Sequence, residues 1–221
     1  MSTEPWTTPE DAVDFGSSLF TGARVRLRPL ADEDLATLTR WWNDERYMGL
    51  QGEVVRPQPD ATRAEVLRLW SRNDTTGSVG FSVVDAASGE LVGHVTLWGV
   101  DALARCGTLA LQIGGPFVGR GYGTDAVRVL VRYAFTELGL HRVQLGVWSF
   151  NTRAVAAYER AGFVHVGRRR EVVFPDGHWY DEVLLSIVED EWWAGDDEDD
   201  RDRADDHGDD GGDPAGERAA P

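Results

Sequence analysis

The segment "FVGRGYGTDA" (residues 117–126) sets three glycines at alternating positions directly before an amphipathic stretch. Apolar side chains then recur at i, i+3, i+4, i+7, i+8 and i+11, at Val127, Leu130, Val131, Ala134, Phe135 and Leu138. This period predicts an α-helix with one buried face, and Gly139 is expected to end that helix. Glycines just before a helix let backbone N–H groups approach a phosphate, and the positive end of the helix dipole strengthens the attraction.

Two common phosphate-binding motifs do not fit this loop. A Walker A loop needs a lysine, and the chain has none. A dinucleotide fingerprint needs a third glycine where Thr124 follows Gly119 and Gly121. The remaining interpretation is a pyrophosphate held by successive backbone N–H groups, from Gly119 and Arg120 to Gly123 and Thr124. The alternative is a turn that only needs the flexibility of glycine.

The patterns on either side of the helix predict an α/β fold with a largely antiparallel sheet. Alternating segments indicate strands, namely "ARVRLRPL", "VGFSVVD", "LVGHVTLWGVD", "GTLALQIG", "HRVQLGVW", "FVHVGRRREVVF" and "WYDEVLLSIV". Further helices are expected after Asp32 or Asp34, after Asp60, and over "NTRAVAAYERAG". The helix after the glycines lies between two strands, so it forms one strand–helix–strand crossover.

Negative charge dominates the chain, whose formal net charge is −16. Residues 196–221 hold twelve acidic residues and three arginines, a net of −9, which leaves −7 for residues 1–195. Binding to nucleic acid depends mainly on neutralising phosphates. A negatively charged domain offers no basic face to the phosphates of nucleic acid. We therefore expect no nucleic-acid partner and a substrate that is cationic.

Composition also limits the domain organisation. Residues 194–221 hold no aromatic and no large aliphatic side chain, so we expect an acidic disordered tail there. The segment 1–22 is expected to be loosely ordered, which leaves one domain over 23–193. The absence of an apolar run of about eighteen residues and of an apolar signal core predicts no membrane span and a cytoplasmic location. Cys106 is the only cysteine, so neither a disulfide within the chain nor a cysteine-based zinc site is expected.

From about Val25 to Trp193 the chain resembles the GCN5-related N-acetyltransferases (GNAT), in the branch that acetylates the N-termini of ribosomal proteins. The matching stretches are "VRLRPLADED", "WWNDE", "LVGHVTLW", the long run from "LQIGGPFVGRGYG" to "NTRAVAAYERAGF", and "DGHWYDEVLLS". The acetyl-CoA loop of that family, Gln/Arg-x-x-Gly-x-Gly/Ala, falls on residues 118–123. Gly121 and Gly123 match it, whereas Val118 stands where Gln or Arg is usual.

The resemblance implies a single GNAT fold, with a mixed, mostly antiparallel sheet of six to seven strands, a central splay and about four flanking helices. It implies acetyl-CoA as the co-substrate and no metal. The expected cofactor-binding residues are Leu111, Gln112, Ile113, Val118, Gly119, Arg120, Gly121, Tyr122, Gly123, Thr124, Asn151 and Arg153. Asn151 also suits the helix N-cap position, and both roles are compatible.

The resemblance places the general acid of the reaction at Tyr158, whose hydroxyl would protonate the departing CoA thiolate. The alternative is a packed core tyrosine, since Tyr158 shares a helix face with Val155. A glutamate base of some relatives falls here on Thr108 and Gly146, so the base is sought elsewhere. Glu53 and Asp101, acting through water, are the candidates, and solvated surface acids are the alternative reading. His94 and His141, in predicted strands, are further candidates, and a structural role is the alternative for each.

The family's acceptor pocket points to four residues, Tyr47, Met48, Trp98 and Trp148, as an apolar, cation-attracting lining. Together these features predict an N-acetyltransferase that moves an acetyl group from acetyl-CoA to a primary amine by direct attack in a ternary complex. The acceptor is expected to be a cationic small molecule or a peptide N-terminus, and the enzyme a monomer or homodimer. The alternatives are a catalytically degenerate acyl-CoA-binding or sensor module, and an interaction scaffold.

Overall fold

Seven strands form one mixed sheet in the computed structural model, which describes residues 5–52 and 55–195. The strands are β1 (Val25–Arg28), β2 (Ser78–Asp85), β3 (Leu91–Asp101), β4 (Cys106–Ile113), β5 (Arg142–Trp148), β6 (Val164–Val173) and β7 (Tyr180–Val188). Their order across the sheet is β1-β2-β3-β4-β5-β7-β6. All neighbouring pairs are antiparallel except β4 and β5. The predicted fold class is confirmed.

The parallel pair β4–β5 separates soon after it begins. Cα partners are Cys106 with Arg142, Gly107 with Val143, and Thr108 with Gln144, and none follows them. Beyond Thr108 the edge of β4 that faces β5 therefore has no ladder partner in the described structure. This opening is the central splay that the resemblance implied.

The described residues contain five α-helices, α1 (Pro9–Leu19), α2 (Asp32–Trp42), α3 (Asp60–Trp70), α4 (Tyr122–Thr136) and α5 (Thr152–Arg160). Three short 3₁₀ helices cover Met48–Leu50, Gly115–Phe117 and Pro175–Gly177. Residues 189–195 are also helical up to the last described residue. None of the helices in this part of the chain combines the length and the apolar character that crossing a bilayer requires.

The main core lies between α4 and one face of the sheet, as the spacing in the sequence predicted. The predicted apolar positions of α4 are buried, except that Leu138 is partly buried just beyond the helix, while α2 and α3 cover the opposite face. Gly139 follows the helix with a φ of +59°, a left-handed conformation that favours glycine.

Helix α1 was not predicted, because residues 1–22 were expected to be loosely ordered. Thr8 and Asp11 form a capping box, and Pro9 occupies the first turn. Arg132 of α4 donates hydrogen bonds to the carbonyl oxygens of Ser18, Leu19 and Thr21, at 2.8–2.9 Å. The N-terminal segment is thus helical over Pro9–Leu19 and fixed to α4 at its end. The tail from residue 196 lies outside the described residues, and the domain limits stay a prediction.

A buried carboxylate connects α2 to the first two strands. Asp34 is 4% exposed and accepts hydrogen bonds from both Nη atoms of Arg28 at 2.7 Å, from Ser82 Oγ at 2.7 Å and from the N–H of Ala31 at 3.1 Å. Burial alone would raise the pKa of Asp34, but these hydrogen bonds outweigh it and hold the pKa below its usual range. The ionised form of Asp34 therefore stabilises the packing of α2 on the sheet.

We expect Asp34→Asn to lower the free energy of unfolding at pH 7 by about 1–3 kcal/mol, since the partly exposed Arg28 loses its counter-charge. The pKa of Asp34 in the folded state lies below its ordinary value of 3.8. The stabilisation is therefore complete above that value and disappears as the pH falls through the folded-state pKa. Urea unfolding at pH 7 and pH 3 measures it. A gap between wild type and variant that is as large at pH 3 as at pH 7 would contradict the assignment.

Candidate active site

A cavity of about 400 Å³ occupies the splay between β4 and β5. Its lining runs from the glycine loop and the first turn of α4, past α5, to the ends of α2 and α3 on the opposite face of the sheet. The two strands can line it together because their ladder stops at Thr108 and Gln144. The same separation connects both ends of the cavity through the sheet.

The glycine loop forms one end. Gly119 and Gly121 have φ values of +82° and +85°, which L-residues with a Cβ adopt at a cost. Gly121 is the N-cap residue of α4, and no side chain caps the helix there. The first N–H groups of this 15-residue helix have no intrahelical acceptor, so they are available to an anion.

The segment before β1 lies beside this loop because Asp125 holds it. The carboxylate of Asp125 accepts hydrogen bonds from the N–H groups of Ala23 at 3.1 Å, Arg24 at 2.7 Å and Val25 at 2.9 Å. A Cβ at Gly121 would lie 3.2 Å from Nε of Arg24. A second cavity of about 400 Å³ adjoins the loop, and its charged lining residues are Arg24, Asp125, Arg128 and Arg160. Among the described residues that line this second cavity, three arginines and one acid give a net positive charge beside the loop.

Helix α5 places two polar side chains at the middle of the cavity. Oδ1 of Asn151 accepts a hydrogen bond from the N–H of Ala154 at 3.2 Å, so Asn151 is an N-cap. The ring of Tyr158 packs edge-on against Phe163, with centroids 5.9 Å apart, and Tyr158 lines the cavity. Its hydroxyl has no hydrogen-bond partner among the described residues. Burial raises the pKa of Tyr158 to about 12, so the hydroxyl stays protonated at neutral pH.

The other end of the cavity is aromatic and contains a buried arginine. Arg63 of α3 is 4% exposed, and its Cζ lies 3.3 Å from the ring centroid of Trp42 and 5.0 Å from that of Trp70. His94 Nε2 lies 2.7 Å from Ser71 Oγ. Burial, together with the charge of Arg63, lowers the pKa of His94 to about 4, so this imidazole is neutral at pH 7.

Most predicted cofactor residues line the cavity, namely Leu111, Gln112, Ile113, Val118, Gly119, Gly121, Gly123, Thr124, Asn151 and Arg153. Two predicted cofactor residues do not line it. Arg120 is exposed, with its Cζ 5.8 Å from the ring centroid of Phe117. Tyr122 turns away from the cavity, and its hydroxyl donates to Asp85 at 2.7 Å.

Of the four residues predicted to bind the acceptor, two line the cavity and two do not. Tyr47 and Trp148 line the cavity. Met48 does not, because it is 3% exposed beneath the 3₁₀ helix that it begins. Trp98 does not either: it is 47% exposed on β3, at the register position opposite Thr108.

The two predicted bases have different outcomes. Asp101 is the last residue of β3 and does not line the cavity; its Oδ1 accepts hydrogen bonds from the N–H groups of Leu103 at 2.8 Å and Ala104 at 2.9 Å in the β3–β4 turn. Its carboxylate serves the turn, which the isolated sequence position did not reveal. Glu53 lies outside the described residues. Of the two histidines, His94 lines the cavity, whereas His141 is exposed, 3.8 Å from Glu189.

A buried carboxylate that the sequence reasoning missed lies beside the splay. Glu182 of β7 is 7% exposed and forms an ion pair with Arg169. A Cβ at Gly146 would collide with the carboxylate of Glu182, and Gly146 lines the cavity. The resemblance placed the glutamate base of some relatives at Thr108 and Gly146, and the second of these positions has the Glu182 carboxylate beside it. Only the pairing of the strands reveals this carboxylate, because Trp148 of β5 lies opposite Glu182 of β7.

Three other missed residues belong to the aromatic end, namely Trp42, Arg63 and Trp70. They lie on α2 and α3, which the sequence predicted as helices without placing the site there. Among the described residues, no group of three or more His, Cys, Asp or Glu side chains is placed to hold a metal ion.

Comparison with known proteins agrees with this geometry. Residues 24–164 match the model of the acetyltransferase (GNAT) domain. The putative ribosomal N-acetyltransferase YdaF of Bacillus subtilis is 32% identical over 135 residues, which cover 60% of this chain and 72% of YdaF. The probable N-acetyltransferase YjcK of the same organism is 28% identical over 179 residues, covering 77% of this chain and 97% of YjcK.

A solved structure shares the fold along nearly all of its length. The crystal structure of spermidine N-acetyltransferase from Vibrio cholerae in complex with CoA and spermine has a TM-score of 0.68 and 27% sequence identity. The match covers 76% of this chain and 98% of that one. The glycine loop, the splay and these matches together show that the chain belongs to the GNAT acetyltransferase family and is an acetyl-CoA-dependent acyltransferase.

Proposed function

We propose that the enzyme acetylates a primary amine by direct attack on acetyl-CoA within one ternary complex. The observation that carries this proposal is the continuity of the cavity, whose lining includes Gly119 at one end, Tyr158 in the middle and Trp42 at the other. Acetyl-CoA entering from the loop end and an amine entering from the aromatic end would meet in the splay. Such a meeting requires no acyl-enzyme intermediate, because the two substrates reach the same point from opposite sides.

The loop end suits the pyrophosphate of CoA. Backbone N–H groups from Gly119 to Thr124 would hold it at the positive end of α4. The pantetheine arm would extend along Leu111, Gln112 and Ile113, where the edge of β4 facing β5 has lost its ladder partner. Asn151 and Arg153 line the same path.

Proton transfer in this reaction runs from the amine to the departing sulfur. The amine nitrogen forms a bond to the thioester carbonyl carbon, the C–S bond breaks, and the CoA sulfur accepts a proton from the Tyr158 hydroxyl. The amine loses its proton to a base, for which we propose the Glu182 carboxylate acting through a water beside Gly146. Transfer of that proton to solvent and reprotonation of Tyr158 complete the cycle.

The acceptor class is broad at this level. Relatives are named for ribosomal protein alanine and for spermidine, and both acceptors present a primary amine. We accordingly propose a protein N-terminus or a small-molecule amine as the acceptor.

Gly119→Asp tests the loop against a matched control, Gly119→Asn. A Cβ at Gly119 meets no atom within 4 Å, and Asp and Asn tolerate its left-handed φ better than most residues. The two side chains have nearly the same shape, so they differ chiefly in charge. We expect the Asp variant to bind acetyl-CoA about 10- to 100-fold more weakly than the Asn variant, because its carboxylate would repel the pyrophosphate. Calorimetric titration with acetyl-CoA measures this ratio, and equal affinities would exclude the loop as the phosphate site.

Tyr158→Phe tests the general acid. The substitution keeps the ring that packs on Phe163 and removes the hydroxyl, so we expect kcat to fall by about 10² to 10⁴ while acetyl-CoA affinity stays near wild type. Thiol release is followed with an accepted amine, beside a binding isotherm. Retained turnover in a folded variant would leave Tyr158 as a core residue only.

Glu182→Gln tests the proposed base, with Asp101→Asn as the control. We expect the Gln variant to lose about 10²-fold in kcat and the Asn variant to match wild type, since its amide oxygen can still accept from the turn. Rates are measured from pH 6 to pH 9 together with melting temperatures. Wild-type turnover in Glu182→Gln would show that the amine loses its proton elsewhere.

A further inference from the structure

The aromatic end of the cavity contains a cation, Arg63, for which the described residues supply no counter-ion. No acid and no hydrogen-bond acceptor in the described part of the chain lies within bonding distance of the Arg63 guanidinium, and its Nε is buried without a partner. Stacking on Trp42 offsets some of the cost of burying the charge. Burial also lowers the pKa of Arg63, to about 10. A buried charge normally has an ionic partner, so the missing one is expected to come from a ligand.

The cavity lining as a whole is also positively charged. None of the described residues that line the cavity is acidic, and the charged ones are Arg63, Arg153 and Arg160. Arg153 and Arg160 lie on α5, and Arg160 also adjoins the glycine loop. Arg63 lies on α3 between Trp42 and Trp70, so it is the charge found at the aromatic end among the described residues. This arrangement is opposite to the net charge of −16, from which a cationic acceptor was expected.

We propose that Arg63 binds a carboxylate of the acceptor, so that the acceptor is a primary amine that also carries a carboxylate, such as a free amino carboxylic acid. This inference rests on the proposed function, since it names the acceptor of that reaction. One guanidinium balances one negative charge, which suits a carboxylate better than a phosphate dianion. With a ring face stacked on it, the guanidinium offers its edge, and the edge pairs with the planar carboxylate group.

Two buried amide oxygens can receive hydrogen bonds from the amine of the substrate. Nε2 of Gln112 donates to the carbonyl oxygen of Leu38 at 3.2 Å, which leaves its Oε1 buried without a donor. Oε1 of Gln51, which also lines the cavity, is likewise buried without a donor. These oxygens can accept N–H groups of an uncharged amine, the form that attacks a thioester.

A panel of matched acceptors tests the proposal. Glycine, β-alanine, 4-aminobutanoate, 6-aminohexanoate and the common α-amino acids are each compared with their carboxamides, beside spermidine and peptides with neutral or acidic side chains. The proteins are wild type, Arg63→Met, Arg63→Lys and Arg68→Met. Arg68 lies on the same helix but is exposed and paired with Asp32 at 2.9 Å, which makes it the control. The readouts are CoA release and calorimetric binding of each acceptor to the CoA-saturated protein.

We expect wild type to favour the carboxylate of the best pair at least tenfold in kcat/KM. Arg63→Met should lose about 100-fold on that carboxylate and less than threefold on its carboxamide. Arg63→Lys should recover part of the preference, and Arg68→Met should keep all of it. If only acidic peptides are accepted, with the same dependence on Arg63, the carboxylate site stands and its source is a peptide.

Other outcomes overturn the inference. Equal or better use of carboxamides or spermidine by wild type would do so, as would an equal loss on all acceptors in Arg63→Met, which would make Arg63 structural. If none of these amines causes CoA release, the proposed function fails. The calorimetric binding data then test the carboxylate site by themselves. Tighter binding of carboxylates that Arg63→Met abolishes would uphold the site, and its absence would exclude it.

Discussion

The early separation of β4 from β5 is the constraint on which the rest of the structure depends. Three paired positions join the strands, and then each continues with its neighbour on the far side, β3 or β7. The gap gives the cavity a passage through the sheet, which a continuous ladder would close. It also leaves backbone N–H and C=O groups of β4 without strand partners, a cost that a bound ligand with an amide-containing arm would reduce. The glycine loop, α4 and α5 are all arranged around that gap.

The sequence predicted the fold well where a pattern is local. The apolar stripe of α4, the glycines before it and the signature that contains Tyr158 each lie within one short segment, and the cavity brings the loop and the tyrosine together. Helix α1 was missed although Thr8, Pro9 and Asp11 form a readable cap, because Gly16 and two serines weaken the helical pattern that follows.

The acceptor end could not be predicted, because its geometry depends on contacts between distant segments. Arg63 and Trp42 are 21 positions apart and meet only because α2 and α3 pack side by side on the sheet. Glu182 lies beside Gly146 of the cavity lining only through the register of β7 against β5. Asp101 has the opposite problem: its position at a strand end suggested a cleft, but its carboxylate is used by the adjacent turn. The net charge of the chain was equally uninformative about the acceptor, because none of the described residues that line the cavity is acidic.

Asp125 has a consequence for how the molecule assembles during synthesis. Its carboxylate is the acceptor for three consecutive N–H groups that lie 100 to 102 positions earlier in the chain. The first strand therefore leaves the ribosome long before its partner in α4 exists, and its neighbour β2 also comes some 50 residues later. Contacts of such long range slow folding, because a large loop must close before they form. The glycine loop at the start of α4 therefore reaches its final surroundings only after residues 23–25 have bound Asp125. The ability to bind a ligand at that loop thus marks a late stage of folding.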